Sequence, residues 1–240
     1  MRKRCILIPA YNEAKNIAAV IAEIRAHVRA IDIIVIDDGS TDDTAVCARR
    51  ADAYVIRHPF NLGYGAALQT GYKYALQNHY DLLVQIDGDG QHVAGFIPEM
   101  FRRLEACDVV IGSRFLESSR YRTGTLKLWA IRLFRWIIRI TTGEQISDPT
   151  SGYQGLNRQV IEFFADDDFP WDYPDANVII MLHRAGFRIA EISADMRPNP
   201  EARAMHRGIL KITYYFFKVF MSIFITLIRR SKSTVQSLGG

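Results

Sequence analysis

Cysteine is scarce in this 240-residue sequence, and the three that occur (Cys5, Cys47 and Cys107) stand alone, without the paired spacing of a thiolate metal cage. Each lies in or beside an apolar segment, so buried, reduced thiols in a reducing compartment are expected. No secretory leader is expected either. Met1–Arg4 is basic, but the apolar run behind it stops at Pro9 and carries no small-residue cleavage site. There are no internal repeats and no clear interdomain linker. Hydrophobic residues at 49% against 23% charged exclude wholesale disorder. Acid is nearly missing from one stretch. Between Arg114 and Arg139 the basic residues are Arg114, Arg120, Arg122, Lys127, Arg132, Arg135 and Arg139, with Glu117 the single acid. A block of this kind favours phosphate, on a nucleotide, a lipid head group or a nucleic acid.

What is present alternates. Short β-branched runs at 5–8, 33–36, 54–56, 82–86 and 109–111 read as buried strands, separated by helical periodicity at about 14–29, 43–51, 65–77 and 96–105. That order predicts βαβ units: a mostly parallel sheet with helices on both faces and a ligand site at the strands' carboxyl ends. The second half is less regular. It holds a helix over 126–140, a Gly/Ser/Thr/Pro-rich stretch at 147–155, a helix near 176–185, a strand near 187–192 and a strongly apolar run at 209–228.

The chemistry-bearing residues fall where the predicted strands end. Asp87-Gly88-Asp89-Gly90-Gln91-His92 follows the fourth, and two carboxylates two residues apart suit a hard divalent cation. The competing explanation is an ordinary Asp/Gly turn. Pro9-Ala10-Tyr11-Asn12-Glu13 follows the first strand and Asp37-Asp38-Gly39-Ser40-Thr41-Asp42 the second. In the latter, Ser40, Thr41 or Asp42 could simply cap a helix. Adjacent acids leaving a buried strand, as Asp37 and Asp38 do, are costly unless something binds them. Asn61-Leu62-Gly63-Tyr64-Gly65 opens the next helix but lacks the full dinucleotide-binding glycine pattern.

With Gly112-Ser113-Arg114 and Asp148-Pro149-Thr150-Ser151-Gly152-Tyr153, these motifs resemble in order those of the family 2 glycosyltransferases, and among them the dolichyl- and polyprenyl-phosphate sugar transferases. The resemblance implies an α/β GT-A nucleotide-diphospho-sugar transferase fold with C-terminal amphipathic, membrane-associated helices. The catalytic domain would take residues 1–208, including an interfacial helix at about 125–141; an apolar membrane-associated helix would take 209–230 and a flexible tail 231–240. It implies a nucleoside pocket of Pro9, Ala10, Tyr11 and Glu13, with Ile36 and Asp38 at base and ribose. Gly65, Asp87, Gly88 and Asp89 would complete the donor site, and Mg²⁺ or Mn²⁺ would sit on Asp87, Asp89 and Gln91. Arg114 would face the donor or acceptor phosphate, and Ser151 is placed on the phosphate side. Read from its charges alone, the basic segment at 197–207, with Arg197 and Arg203, could hold a phosphate or be a solvated loop drawn to anionic lipid. One departure stands out: polyprenyl enzymes often carry His-Pro-Pro after the acidic motif, where this chain has His92-Val93-Ala94.

The implied reaction is an inverting transfer of a hexose or N-acetylhexosamine from a nucleotide-diphosphate sugar, a uridine nucleotide favoured, to a polyprenyl phosphate at the cytoplasmic membrane face. Nucleic acid is not an expected partner. The same donor chemistry onto a glycan hydroxyl needs a general base, for which Asp175 is the candidate. A non-enzymatic basic membrane-binding module leaves the four strand-end acids unexplained. In 126–140, helical spacing puts Arg132, Arg135 and Arg139 on one stripe with Trp129, Leu133, Trp136 and Ile140 roughly opposite, the pattern of an interfacial helix. The 209–228 run could just span a bilayer, but Lys211 and Lys218 favour its lying in the interface or pairing with the 126–140 helix; its apolar surface could also mediate homo-oligomerisation.

Overall fold

A computed structural model describes residues 2–116, 125–167, 169–170, 174, 176–197, 221, 225, 226 and 228. Its strands are β1 (Arg4–Ala10), β2 (Asp32–Asp37), β3 (Tyr54–Arg57), β4 (Leu82–Gln85), β5 (Val109–Ser113), β6 (Gln154–Asn157) and β7 (Ile189–Ser193). The helices are α1 (Ile17–His27), α2 (Thr44–Arg50), α3 (Tyr64–Gln77), α4 (Ile97–Arg103), α5 (Thr125–Thr142), α6 (Arg158–Ala165) and α7 (Ala176–Arg184). One seven-stranded sheet runs β3-β2-β1-β4-β6-β5-β7. All of its pairs are parallel except those of β6, which is antiparallel to β4 and to β5.

The apolar runs of β1 and β2 are continuous because both faces are covered. Cys5, Leu7, Ile34 and Ile36 face a layer that includes residues of α3, α5, α6 and α7, while Ile6, Ile8, Ile33 and Val35 face residues of α1, α2 and α4. The alternation follows from the two-residue repeat of a strand. It also corrects one expectation. Ile36, assigned to the base pocket, is fully buried in the first of these layers and offers no surface to a nucleotide.

Two elements were not anticipated. β6 is four residues with a single large apolar side chain, Leu156, and α6 begins immediately after it at Arg158, capped by Asn157, whose side chain accepts the Val160 amide. The cysteines are free, Cys5 and Cys107 buried but Cys47 only half-buried.

Helix α5 also differs from its projection. Ile131, Phe134, Ile137 and Ile138 are buried, while Trp129, Leu133, Trp136 and Ile140 are exposed. Arg132 and Arg139, both exposed, flank the exposed apolar stripe rather than oppose it. Arg135 leaves the basic stripe and donates to Ser147 O at 2.7 Å. Among the described residues no helix is long and apolar enough to cross a membrane. Most of the apolar run at 209–228 lies outside the described residues, as does the 231–240 tail.

Candidate active site

Parallel pairing brings the carboxyl ends of β1, β2 and β4 together, and the loops beyond them are knitted by side-chain bonds. The Asp38 amide donates to Ala10 O (2.9 Å), continuing the β1–β2 ladder past its end. The Asn12 amide donates to Ser40 Oγ (2.9 Å), that of Glu13 to Thr44 Oγ1 (2.8 Å) and that of Ala14 to Asp42 Oδ2 (3.1 Å). Thr41 N returns a bond to Asn12 Oδ1 (2.9 Å). Ser40 and Thr41 thus fasten the 9–13 loop, and Asp42 does so while also accepting the first amide of α2, Thr44 N, at 3.0 Å.

The costly acids do bind something. Asp37, fully buried, accepts the Ser40 amide and pairs with Arg57 at 3.0 Å. Asp38, 4% exposed, accepts the amides of Leu62 and Gly63 (2.9 Å each) and meets His58 Nδ1 at 2.7 Å. Its carboxylate therefore fixes the 58–63 loop beside the 9–13 loop. Gly39 permits the close passage: its φ is +70°, and a Cβ there would stand 2.4 Å from the Phe60 carbonyl carbon. From these loops the side chains of Tyr11, Phe60, Leu62 and Tyr64 are exposed.

The acidic loop after β4 closes the arrangement. Gly88 lies against the first loop, its would-be Cβ 3.3 Å from Ala10 Cβ and from Pro9 O, and both Pro9 and Ala10 are buried. Gly65 is buried in the first turn of α3. Burial raises the Glu13 carboxyl above its usual range; a bond from Asn16 opposes this, and the negative charges of Asp89, Asp42 and Asp87 add to it. Four carboxylates therefore share one field. Burial pushes Asp87 up as well, but hydrogen bonds from His92 and Tyr64 and the positive charges of His92 and Arg114 prevail, leaving it below the usual range. Asp89 accepts the Gln91 amide at 3.0 Å and is also bonded by the Gln91 side chain.

Among the described residues no three His, Cys, Asp or Glu side chains form a cage for a metal. Two carboxylates and an amide oxygen, all hard oxygen donors, nevertheless fit Mg²⁺ or Mn²⁺ well. Such ions are commonly held by one or two carboxylates, with substrate phosphates and water completing the shell.

The basic and hydroxyl residues assigned to phosphate are engaged with the protein. Arg114, 5% exposed, grips Asp148 through Nε (2.6 Å) and Nη2 (2.7 Å) and also reaches Thr150 Oγ1 (2.7 Å). Asp148 accordingly orders its loop chiefly through this arginine, beyond its contacts within the loop itself. Ser151 is buried and donates to Gly112 O at 2.6 Å. Arg197 forms two 2.8 Å bonds to Glu23 of α1, while its amide donates to Gln91 O at 2.7 Å. With the His92–Met196 bridge, this straps the 195–197 segment onto the acidic loop. Asp175 and Arg203 lie outside the described residues.

Several residues at the site were passed over in the sequence. Tyr64 donates to Asp87 Oδ1 at 2.9 Å, and Gln85 donates to Tyr64 Oη at 3.2 Å and to Gly152 O at 2.8 Å. Gln85 did leave a signal, as the polar residue ending an apolar strand just before the acidic loop. His58 and Glu23 left none. Beside Asp87 a cavity of about 180 Å³ is lined by polar Tyr64, Gln85 and Thr150 and by apolar Leu68, Phe164 and Val178.

Comparison with known proteins agrees with this frame. The polyprenol monophosphomannose synthase of Mycolicibacterium smegmatis is 30% identical over 176 residues, spanning 67% of this chain and 64% of that protein. The undecaprenyl-phosphate mannosyltransferase of Micrococcus luteus is 31% identical over 164 residues, 65% of this chain and 66% of that one. The chain thus aligns with about two-thirds of the length of each. Glucosyl-3-phosphoglycerate synthase from Mycobacterium tuberculosis superposes with a TM-score of 0.71 as its UDP complex, at 24% identity over 96% of this chain and 82% of that one. Its complex with Mn²⁺ and UDP-glucose gives 0.72 at 20% identity over 96% and 81%. At such identities the likeness establishes the fold, the GT-A arrangement. The model of glycosyl transferase family 2 matches residues 5–164, which takes in β1 from its second residue and every strand from β2 to β6 together with the acidic loop, and the chain belongs to that family.

Proposed function

We propose that this protein is a divalent-metal-dependent, inverting glycosyltransferase that moves a hexose or N-acetylhexosamine from a nucleotide-diphosphate sugar, a uridine nucleotide favoured, to a polyprenyl phosphate. The observation that carries the reading is the packing of the Asp87–Gly88–Asp89 loop against Pro9 and Ala10 at the strands' carboxyl ends, beside a loop system tied together by Asp38. The names of the two mannosyl-transferring relatives support a polyprenyl phosphate acceptor, and the UDP, UDP-glucose and Mn²⁺ complexes of the structural neighbour support the donor and the metal.

Asp87, Asp89 and the Gln91 side-chain oxygen would hold the cation. When bound, the cation supplies charge neutralisation for the departing diphosphate. The 9–13 loop and exposed Tyr11 would receive the nucleoside, and the 58–63 loop would line it from the other side. A phosphate monoester is already an anion at neutral pH and needs placement rather than deprotonation. Its oxygen forms a bond to the anomeric carbon while the bond from that carbon to the diphosphate breaks, the nucleoside diphosphate leaving with the electron pair and the configuration inverting. Arg114 adds positive charge near Asp87 while paired with Asp148.

A lipid acceptor calls for a membrane surface. The stripe of Trp129, Leu133, Trp136 and Ile140, exposed and bordered by Arg132 and Arg139, supports peripheral docking through α5 at a cytoplasmic, anionic leaflet. The test is a screen of radiolabelled UDP- and GDP-sugars against vesicles containing polyprenyl phosphate, with and without Mn²⁺. Label should enter an organic-extractable, mild-acid-labile product only with the metal. Transfer solely to a soluble saccharide would overturn the acceptor assignment.

A further inference from the structure

Asp87 differs from Asp89 in how it is held. Asp89 is bonded by Gln91 from within its own loop. Asp87 has a separate donor on each oxygen, one from α3 and one from its own loop: Tyr64 Oη on Oδ1 at 2.9 Å and His92 Nε2 on Oδ2 at 3.0 Å. Both partners are themselves fixed. Tyr64 Oη accepts from Gln85 Nε2, and Gln85 Oε1 accepts from Tyr72 Oη at 2.5 Å. The His92 side chain is 3% exposed and its ring packs against Tyr153 with centroids 5.0 Å apart. The Tyr153 hydroxyl in turn donates to Val93 O at 3.1 Å. Gly152 leaves the room this needs, since a Cβ there would come within 2.8 Å of Tyr64 Oη and 3.1 Å of Asp87 Oδ2.

A terminal carboxylate otherwise turns freely over a broad range of angles, and the cavity beside Asp87 gives it somewhere to turn. Two anchored donors remove that freedom while leaving each oxygen a second lone pair for a cation. We infer that Tyr64 and His92 are positioning residues that clamp Asp87 in the orientation that receives the divalent cation. The inference rests on the cation site of the proposed function. It assigns the tyrosine of the Asn61–Gly65 motif and the histidine of the acidic loop to one task, joining the start of α3 to the tip of β4.

The experiment is a titration of the full chain with Mn²⁺ in the presence of UDP, following free Mn²⁺ by electron paramagnetic resonance, for the wild type and for Tyr64→Phe, His92→Leu, His92→Gln and Asp89→Asn. Loss of an outer hydrogen-bond partner of a metal ligand typically weakens metal binding about 10–100-fold. Tyr64→Phe and His92→Leu should each weaken Mn²⁺ at least about tenfold, with melting temperature and metal-free UDP binding unchanged. His92→Gln, which keeps a donor, should recover part of the loss. Tyr64→Phe is nearly isosteric and carries the test if His92→Leu does not fold. Mn²⁺ binding within twofold of wild type in Tyr64→Phe, while Asp89→Asn abolishes it, would overturn the clamp alone. Unchanged Mn²⁺ binding in Asp89→Asn would remove the cation site itself, and the clamp with it.

Discussion

The two ends of the sheet are built by different means. From β3 to β4 the strands are parallel, β1, β2 and β4 buried on both faces and β3 a partly exposed edge, and the acids at their ends are satisfied largely by backbone amides and hydroxyls of neighbouring loops. From β6 to β7 a reversed strand is inserted, and the conspicuous buried charges there are an arginine and an aspartate matched to each other. The comparison teaches that similar residue types serve two ends. Loop-held carboxylates around Asp87 and Asp89 share a field and suit a cation, whereas Arg114 and Asp148 are bound to each other and fasten β5 to the loop before β6.

The largest effect that would break this distinction is on stability. Asp148→Ala leaves the Arg114 guanidinium buried without its carboxylate and should lower the unfolding free energy in urea by about 3–5 kcal/mol. A loss below about 1 kcal/mol, the range of an exposed ion pair, would show that the pair does not fasten this half. Asp89→Asn should behave in the opposite way. Removing one anion from the cation site should cut Mn²⁺-dependent transfer by about a hundred- to a thousandfold, from several kcal/mol of lost charge stabilisation at tenfold per 1.4 kcal/mol, with urea stability unchanged. Severe unfolding of that variant would move Asp89 into the structural class.

The second half also carries the surface proposed to meet lipid. Trp129 and Trp136 are 68% and 59% exposed, so replacing both with Ser should leave the melting temperature unchanged. Burying one large apolar side chain is worth about 1.5–3 kcal/mol. Binding to anionic vesicles should therefore fall at least about tenfold by co-sedimentation, and unaltered binding would take α5 away from the membrane.

The smallest effect concerns Asp108, which joins β5 to Arg188 and Asn157. Burial raises its carboxyl, but bonds from Arg188 and Asn157 and the charge of Arg188 outweigh this, holding it below the usual range. A depressed folded-state value stabilises above the unfolded value of about 3.9, and the contribution is lost as pH falls through the folded value. Wild type should therefore exceed Asp108→Asn by about 1 kcal/mol at pH 6, and the gap should close on acidification below about pH 4. A gap independent of pH would rule out the ionic origin.

The sequence by itself determined the first half: where β1, β2, β3 and β4 lie, that they run parallel, and that Pro9–Glu13, Asp37–Asp42 and Asp87–His92 fall at one end. A strand covered on both faces must be apolar throughout, and one closed by an acid declares its own boundary. Only the tertiary structure decided the rest. Four residues with one large apolar side chain become β6 because β4 and β5 flank a gap between them, and Arg114 turns to Asp148 because a buried guanidinium needs a counter-charge more than an open groove. Tyr64 and His92 reach Asp87 from 23 and 5 residues away. Such partnerships depend on where side chains converge after folding, which neither periodicity nor spacing along the chain records.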